Sequence, residues 1–382
     1  MFDAILGQDR LQQTLAQMHA NDRLPHALLF RGPDGTGKRL LALHLAAWLA
    51  CGQQLATDSN TWKAVMRLEH PDVHVVPPLF SKTVDGKKLT SEDFLPEFRT
   101  WQTANPWGML TDWGEALYDS DTFRAKEDKG RNKQFNIPIE EIRQLHKRFV
   151  LRSQPGAWRV VVIWHAEKLN ISAANAFLKL LEEPPERTLI ILTVGEGATL
   201  MPTLTSRCQT LHFRRVPVPQ LQDWLVHTHQ VPADQAEELA LIADGSPGRA
   251  LLLAHATDNP FRQVFMDWMR LCYEGNEAKI QAFADLMQSQ SMEYQKLFLQ
   301  FSLQKLRDAV TFIAGVPQLA HATRAEVQFL EKFSQFLSLE GIAHMEVLIE
   351  EAMRQLSGYI YTPLLFTVLC HKIYKQMRPL AV

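Results

Sequence analysis

The residues best suited to chemistry lie near the N-terminus, in Gly32-Pro33-Asp34-Gly35-Thr36-Gly37-Lys38. Their spacing is G-x-x-x-x-G-K, set between a short apolar run, Ala27 to Phe30, and a helix-like run from Leu40 to Ala50. In that setting backbone N–H groups and a helix N-terminus can cradle phosphates. Gly32, Gly35 and Gly37 let the backbone close in, and Lys38 reaches for phosphate oxygens. Two partners that such a loop needs for hydrolysis are missing. The residue after the lysine should offer a hydroxyl to Mg²⁺, but it is Arg39, a cation that cannot ligate a metal. A later apolar strand should end in a carboxylate that holds Mg²⁺ and polarises water, yet Val160-Val161-Val162-Ile163 runs into Trp164-His165. Glu167 lies past the end of that strand. His165 reads as a capping or packing residue rather than a base, because the metal it would serve has no ligands. The residues leave two readings open: ATP or ADP binds in the loop, or the glycines serve only the tight turn.

The elements that would hold this loop follow from hydrophobic patterning. Apolar runs at 27–30, 73–76, 160–164, 189–194 and 210–213 alternate with helical spacing at 9–20, 40–50, 138–150 and 172–183. Buried-type strands in that rhythm predict an α/β domain with a five-stranded parallel sheet over residues 1–213. From Val216 onward the strand signal ends. Pro217, Pro219, Pro232 and the turn Gly245-Ser246-Pro247-Gly248 punctuate short helices, which predicts a small helical domain at 214–257. Apolar residues then recur at three and four, as in Phe261, Val264, Phe265, Trp268 and Leu271, and predict an all-helical domain over 258–382.

Residues 79–135 break the rhythm and read as an insertion. The insertion carries Trp101, Trp107 and Trp113, then a polar run from Asp119 to Gln134 that reads as mobile. The tryptophans read as the packing of a small helical insertion on the domain surface, with a partner site as the alternative.

Composition narrows the function classes. Forty Lys and Arg against 42 Asp and Glu leave a net charge of −2, which gives no electrostatic support for a protein that coats DNA without specificity. Cys51, Cys208, Cys272 and Cys370 stand far apart with no metal-ligand spacing, so no zinc site is readable and they read as free thiols of a cytoplasmic protein. The longest apolar stretch, Leu40 to Cys51, is interrupted by His44 and is too short to span a bilayer, which takes about 20 residues.

Several local sequences resemble the AAA+ clamp-loader subunits of bacterial DNA polymerase III. They are Leu6-Gly7-Gln8, His26-Ala27-Leu28-Leu29-Phe30, His70-Pro71-Asp72, the run from Ser172 to Pro185, Ser206-Arg207-Cys208, and Gly245 to Ala250. The run containing Asn175, Leu178, Lys179, Glu182-Glu183 and Pro184-Pro185 is the most specific. The resemblance covers 1–78 and 136–257, and continues only as helical pattern into 258–382, where it implies a collar. It implies an AAA+ P-loop domain in a five-subunit open ring, where an arginine from one subunit meets ATP held by the next. Arg207 falls at that trans-acting finger, and Arg249 at the family's second sensor. Thr193 falls at the first sensor or is an ordinary strand residue. The partners implied are a tau or gamma motor subunit, a delta subunit, and through the complex the sliding clamp and primer-template DNA. Motor subunits keep an Asp-Glu pair where this chain has Trp164-His165, so the resemblance is to an ATPase-inactive member. That member needs no cofactor of its own and would be classed with the polymerase only by membership of the holoenzyme. The zinc cluster of many relatives begins near Cys51, but residues 52–68 hold no further cysteine. An active AAA+ motor is the alternative, favoured by Lys38 and opposed by Arg39, Trp164 and His165. A scaffold in which Arg207 is purely structural is a third reading.

Overall fold

The computed structural model describes residues 5–21, 23–52, 57–80, 83–84, 87–120, 135–150, 157–255, 260–290, 292–316, 324–356 and 360–377. The polar run expected to be mobile lies, from residue 121, outside the described residues. The chain divides into two compact units, one up to Leu252 and one from Leu253 onward.

The first unit is built on five parallel strands, β1 (Ala27–Arg31), β2 (Val73–Val76), β3 (Arg159–Ile163), β4 (Thr188–Val194) and β5 (Gln209–His212). Their spatial order is β2-β3-β4-β1-β5, the five-stranded α/β sheet that the apolar runs predict. β4 lies inside the sheet and all seven of its residues are buried, so its sequence Thr-Leu-Ile-Ile-Leu-Thr-Val is continuous rather than alternating. Helices Asp9–Ala20 and Lys38–Ala50 belong to the core on one face, and Ile139–Val150 and Ile171–Glu182 to the core on the other. Arg31 pairs with Val194, and Ile163 with Leu192, so β1, β4 and β3 end close together and their outgoing loops leave from one edge. A crevice outside the carboxyl ends of parallel strands is where such folds place ligands. Helices Val218–His229 and Ala233–Ile242, and the helix Pro247–His255 as far as Leu252, complete this unit.

The insertion is more than a surface appendage. It contains helices Leu95–Ala104 and Leu110–Asp119, with a two-stranded pairing of Leu79–Phe80 against Phe135–Asn136 at its base. Phe94, Phe98, Trp101 and Trp113 form a core with Leu43 and Trp164 of the α/β domain. The Trp113 indole donates to the Pro78 carbonyl at 3.0 Å. This explains why the helix Lys38–Ala50 is buried all round, from Lys38 to Leu49: it has the sheet on one side and the insertion on another.

The second unit is helical among its described residues, with helices Pro260–Glu274, Glu277–Ser289, Met292–Ile313, Arg324–Phe333, Leu339–Leu356 and Thr362–Met377. The first two are joined by Gly275, in the left-handed region at φ +66°, and by Asn276, whose side chain accepts from the Lys279 N–H at 3.2 Å. A glycine stop followed at once by an asparagine cap ends one helix and starts the next within two residues.

Candidate functional site

The loop after β1 has the backbone that its glycines foretell. Gly35 and Gly37 sit at φ +73° and +88°, and Gly37 caps the helix that begins with Lys38. Those conformations are open to glycine at little cost. The Lys38 side chain is buried and folded back on its own loop. Its Nζ donates to the carbonyls of Gly32 at 2.6 Å and Pro33 at 2.5 Å, and lies 3.3 Å from Asp34 Oδ1. Within the chain, these loop acceptors are what the Lys38 ammonium meets.

Arg39 is also buried. Its guanidinium lies between two indoles, 4.3 Å from the Trp101 ring centroid and 4.4 Å from that of Trp164. Nη2 donates to the carbonyls of Asn105 at 2.9 Å and Pro106 at 3.3 Å. Nε and Nη1 are buried with no hydrogen-bond partner, an arrangement tolerable because the indole faces carry negative potential toward the cation. Burial pushes the Arg39 pKa down to about 9, with Asp112 pulling the other way. The group therefore keeps its charge at neutral pH.

His165 stands at the end of β3 with φ +54°, in the left-handed region. Its N–H donates to Thr193 Oγ1 at 3.0 Å, Nδ1 lies 2.8 Å from Glu167 Oε1, and Nε2 lies 3.8 Å from Asp34 Oδ1. Desolvation works against charge on Asp34, but His165 and Lys38, with Arg249 more weakly, outweigh it and hold the carboxyl below its usual range. Thr193 is thus tied to a neighbouring backbone. Arg249, on the helix Pro247–His255, is brought within electrostatic reach of the loop, and its N–H meets Ser246 Oγ at 3.3 Å.

A Mg²⁺-nucleotide does not fit the residues at this site. The position after the lysine holds a stacked guanidinium, the end of β3 holds an indole, and the lysine is engaged by its own loop. Among the described residues no group of three His, Cys, Asp or Glu could hold a metal ion.

Arg207 lies elsewhere, in the turn between the short helix Pro202–Thr205 and β5. Its Nη1 donates to the Thr203 carbonyl at 2.9 Å, and Nη2 lies 2.6 Å from Glu182 Oε1, both side chains being partly exposed. Glu182 ends its helix, where a carboxylate opposes the macrodipole. The structure answers that local conflict within the chain, by pairing the carboxylate with Arg207.

Sequence reading missed the segment Asn105-Pro-Trp-Gly-Met109, which joins the two insertion helices across the loop. Three of the chain's nine tryptophans within the insertion, together with Trp164 at the end of β3, were the available signal.

The DNA polymerase III subunit delta' of Bacillus subtilis is 27% identical over 66% of this chain and 56% of its own length. The subunit of that name from Yersinia pestis is 26% identical over 61% of this chain and 56% of its own. That from Pseudomonas aeruginosa is 29% identical over 62% and 58%. The chain therefore spans little more than half the length of these relatives. Residues 7–217, more than half of the chain, match the family model described as DNA polymerase III, delta subunit, and the chain belongs to that family.

Proposed function

We propose that this chain is a non-hydrolysing, delta'-type subunit of the bacterial DNA polymerase III clamp loader, and that it offers Arg207 to ATP held by a neighbouring motor subunit. The observation that carries the first half is the stacking of Arg39 on Trp164. One residue stands where a metal-binding hydroxyl is needed, the other where a metal-binding carboxylate is needed, and each is committed to the other. In this reading residues 1–213 form an AAA+ domain, 214–257 its lid and 258–382 a collar. A tau or gamma motor subunit and a delta subunit are its neighbours, and the assembly places the sliding clamp on primer-template DNA in the cytoplasm. No described helix is long and apolar enough to cross a membrane.

Arg207 has features suited to a finger acting in trans. It is partly exposed, and Glu182 and the Thr203 carbonyl hold its guanidinium without burying it. An exposed ion pair contributes only about 0–1 kcal/mol, so Arg207 can exchange Glu182 for a phosphate at little cost. A guanidinium is always charged and presents donors in a fixed fork. It stabilises the charge that develops on a transferring phosphoryl group, an effect of about 10³ to 10⁵ in rate.

The test is ATP hydrolysis by the reconstituted loader, stimulated by clamp and primed DNA, with this chain wild type, as Arg207→Ala, or omitted. Turnover should fall about tenfold or more in a loader that has assembled normally around Arg207→Ala. Wild-type turnover with that variant would remove the finger role, and indifference to omitting the chain would remove the loader role.

A further inference from the structure

The segment Asn105–Met109 lies against the glycines of the phosphate loop. A Cβ at Gly37 would meet Trp107 Cζ3 at 2.8 Å and Cη2 at 3.3 Å, and one at Gly35 would meet Met109 Sδ at 3.1 Å and Ser246 Oγ at 2.2 Å. The bare glycine backbone that would admit phosphate oxygens is instead in contact with an indole and a thioether. Asp34, Lys38, Arg39, Trp107, Met109 and His165 are among the residues that line what is left, a half-open cleft of about 20 Å³. That is room for about one water.

The same segment reaches the helical part of the unit. The Trp107 carbonyl lies so close to Gly248 that a Cβ there would stand 2.4 Å from it, and the Trp107 ring meets Trp224 edge-on at 5.4 Å. Beside it the loop is joined directly to the start of the helix Pro247–His255: the Gly248 N–H donates to the Gly35 carbonyl at 2.9 Å, and Ser246 Oγ to the Asp34 carbonyl at 2.8 Å. Arg39 pins the segment from below, through the carbonyls of Asn105 and Pro106.

We propose that Asn105–Met109 is a built-in occupant of the phosphate loop: it excludes nucleotide and takes over the task of fastening the loop to the helix Pro247–His255. A bound nucleotide can join the two parts of such a unit only while it is bound, whereas a covalently attached strap does so permanently. The chain then keeps one loop–helix arrangement whatever the ATP level. This inference stands on the geometry of the loop and does not depend on the finger role of Arg207.

The experiment uses the full-length chain and N-methylanthraniloyl-ADP, read by fluorescence anisotropy. Wild type should show no saturable binding up to 1 mM probe, and its melting temperature should not move with 5 mM ADP or ATP. Trp107→Ala, alone and with Met109→Ala, should bind the probe at least tenfold more tightly than wild type. Adding Lys38→Ala should abolish the gain, which places the probe in the loop. In the Trp107→Ala chain the Gly248 amide should exchange at least tenfold faster than in wild type, and ADP should restore its protection. Wild-type binding, or a wild-type melting shift of 2 °C or more with nucleotide, overturns exclusion whether or not the variants fold. Folded strap variants that bind no probe also overturn it. Unchanged Gly248 exchange in a folded Trp107→Ala chain overturns the fastening role.

Discussion

Lys38 holds the motif's lysine position with its ammonium engaged inside its own loop. In a working phosphate loop the ammonium is held for a ligand, whereas here two carbonyls and a carboxylate of the same loop surround it while the side chain is buried. Lys38→Ala should therefore act on stability rather than on assembly function. Removing charged donors from buried carbonyls costs on the order of 1–3 kcal/mol, so thermal melting should show a lower midpoint. ATP turnover of a loader built with that variant should stay within about twofold of wild type, far from the loss that follows when a phosphate contact is removed. The reverse pattern, normal melting with a tenfold loss of turnover, would mean that Lys38 reaches phosphate after all. The motif was legible in sequence, and so were Arg39 and Trp164 at the positions where a metal site would need a hydroxyl and a carboxylate. What one sequence could not reveal is that the two residues stack on each other, since Arg39 and Trp164 lie 125 positions apart and meet only because β1 and β3 end at the same edge.

At the scale of elements, the insertion is held to the α/β domain by a clasp. Glu141, on the helix Ile139–Val150, accepts from the Ser91 N–H and, at 2.7 Å, from the Ser91 hydroxyl, while Gln144 Nε2 reaches Thr90 Oγ1 at 3.2 Å. Burial drives the Glu141 pKa up to about 7; the Ser91 hydrogen bonds oppose the rise, and Asp93 and Glu140 add to it. The native state thus holds this proton more tightly than the unfolded chain does. Stability from the protonated carboxyl is fully present below the unfolded value near 4.5, and is lost as pH rises through about 7. The span corresponds to on the order of 3 kcal/mol. Glu141→Gln stays neutral and can still accept from Ser91. Denaturant melts at pH 5 and pH 8 should show a smaller loss of stability with rising pH in the variant, and at pH 8 the variant should be the more stable protein. Equal pH dependence in both would show that Glu141 titrates as an ordinary exposed acid. The strands and helices of the sheet were readable because each is specified by its own few residues. The clasp was not, because Ser91 and Glu141 are 50 positions apart and neither stands out locally.

Across the whole molecule, the two units draw on different kinds of order, and the sequence revealed them unequally. Apolar runs announced the sheet, and residues at three and four announced the helices beyond Leu253, where Phe261, Phe265 and Trp268 are indeed buried. Periodicity identifies which face of a helix is buried, but not which helices meet. The meeting point in the second unit is Trp268. It is wholly buried, stacks on Phe283 at 5.9 Å, lies 5.1 Å from Phe298, and donates its indole N–H to Cys370 Sγ at 3.1 Å, so it joins residues from four of the unit's helices. Truncating so large a side chain in a packed core costs about 3–5 kcal/mol, while Trp268→Phe, which keeps an aromatic ring, should cost much less. In Trp268→Ala, amides of the helices from Pro260 to Met377 whose exchange requires unfolding of this unit should exchange about 10² to 10³ times faster. The buried strands β1, β3 and β4 take their packing from other residues and should keep wild-type protection. Hydrogen exchange resolved by segment separates the outcomes: loss confined to the second unit means that the two cores fold on separate accounts, and a matching loss in the strands means that a single cooperative transition spans the chain.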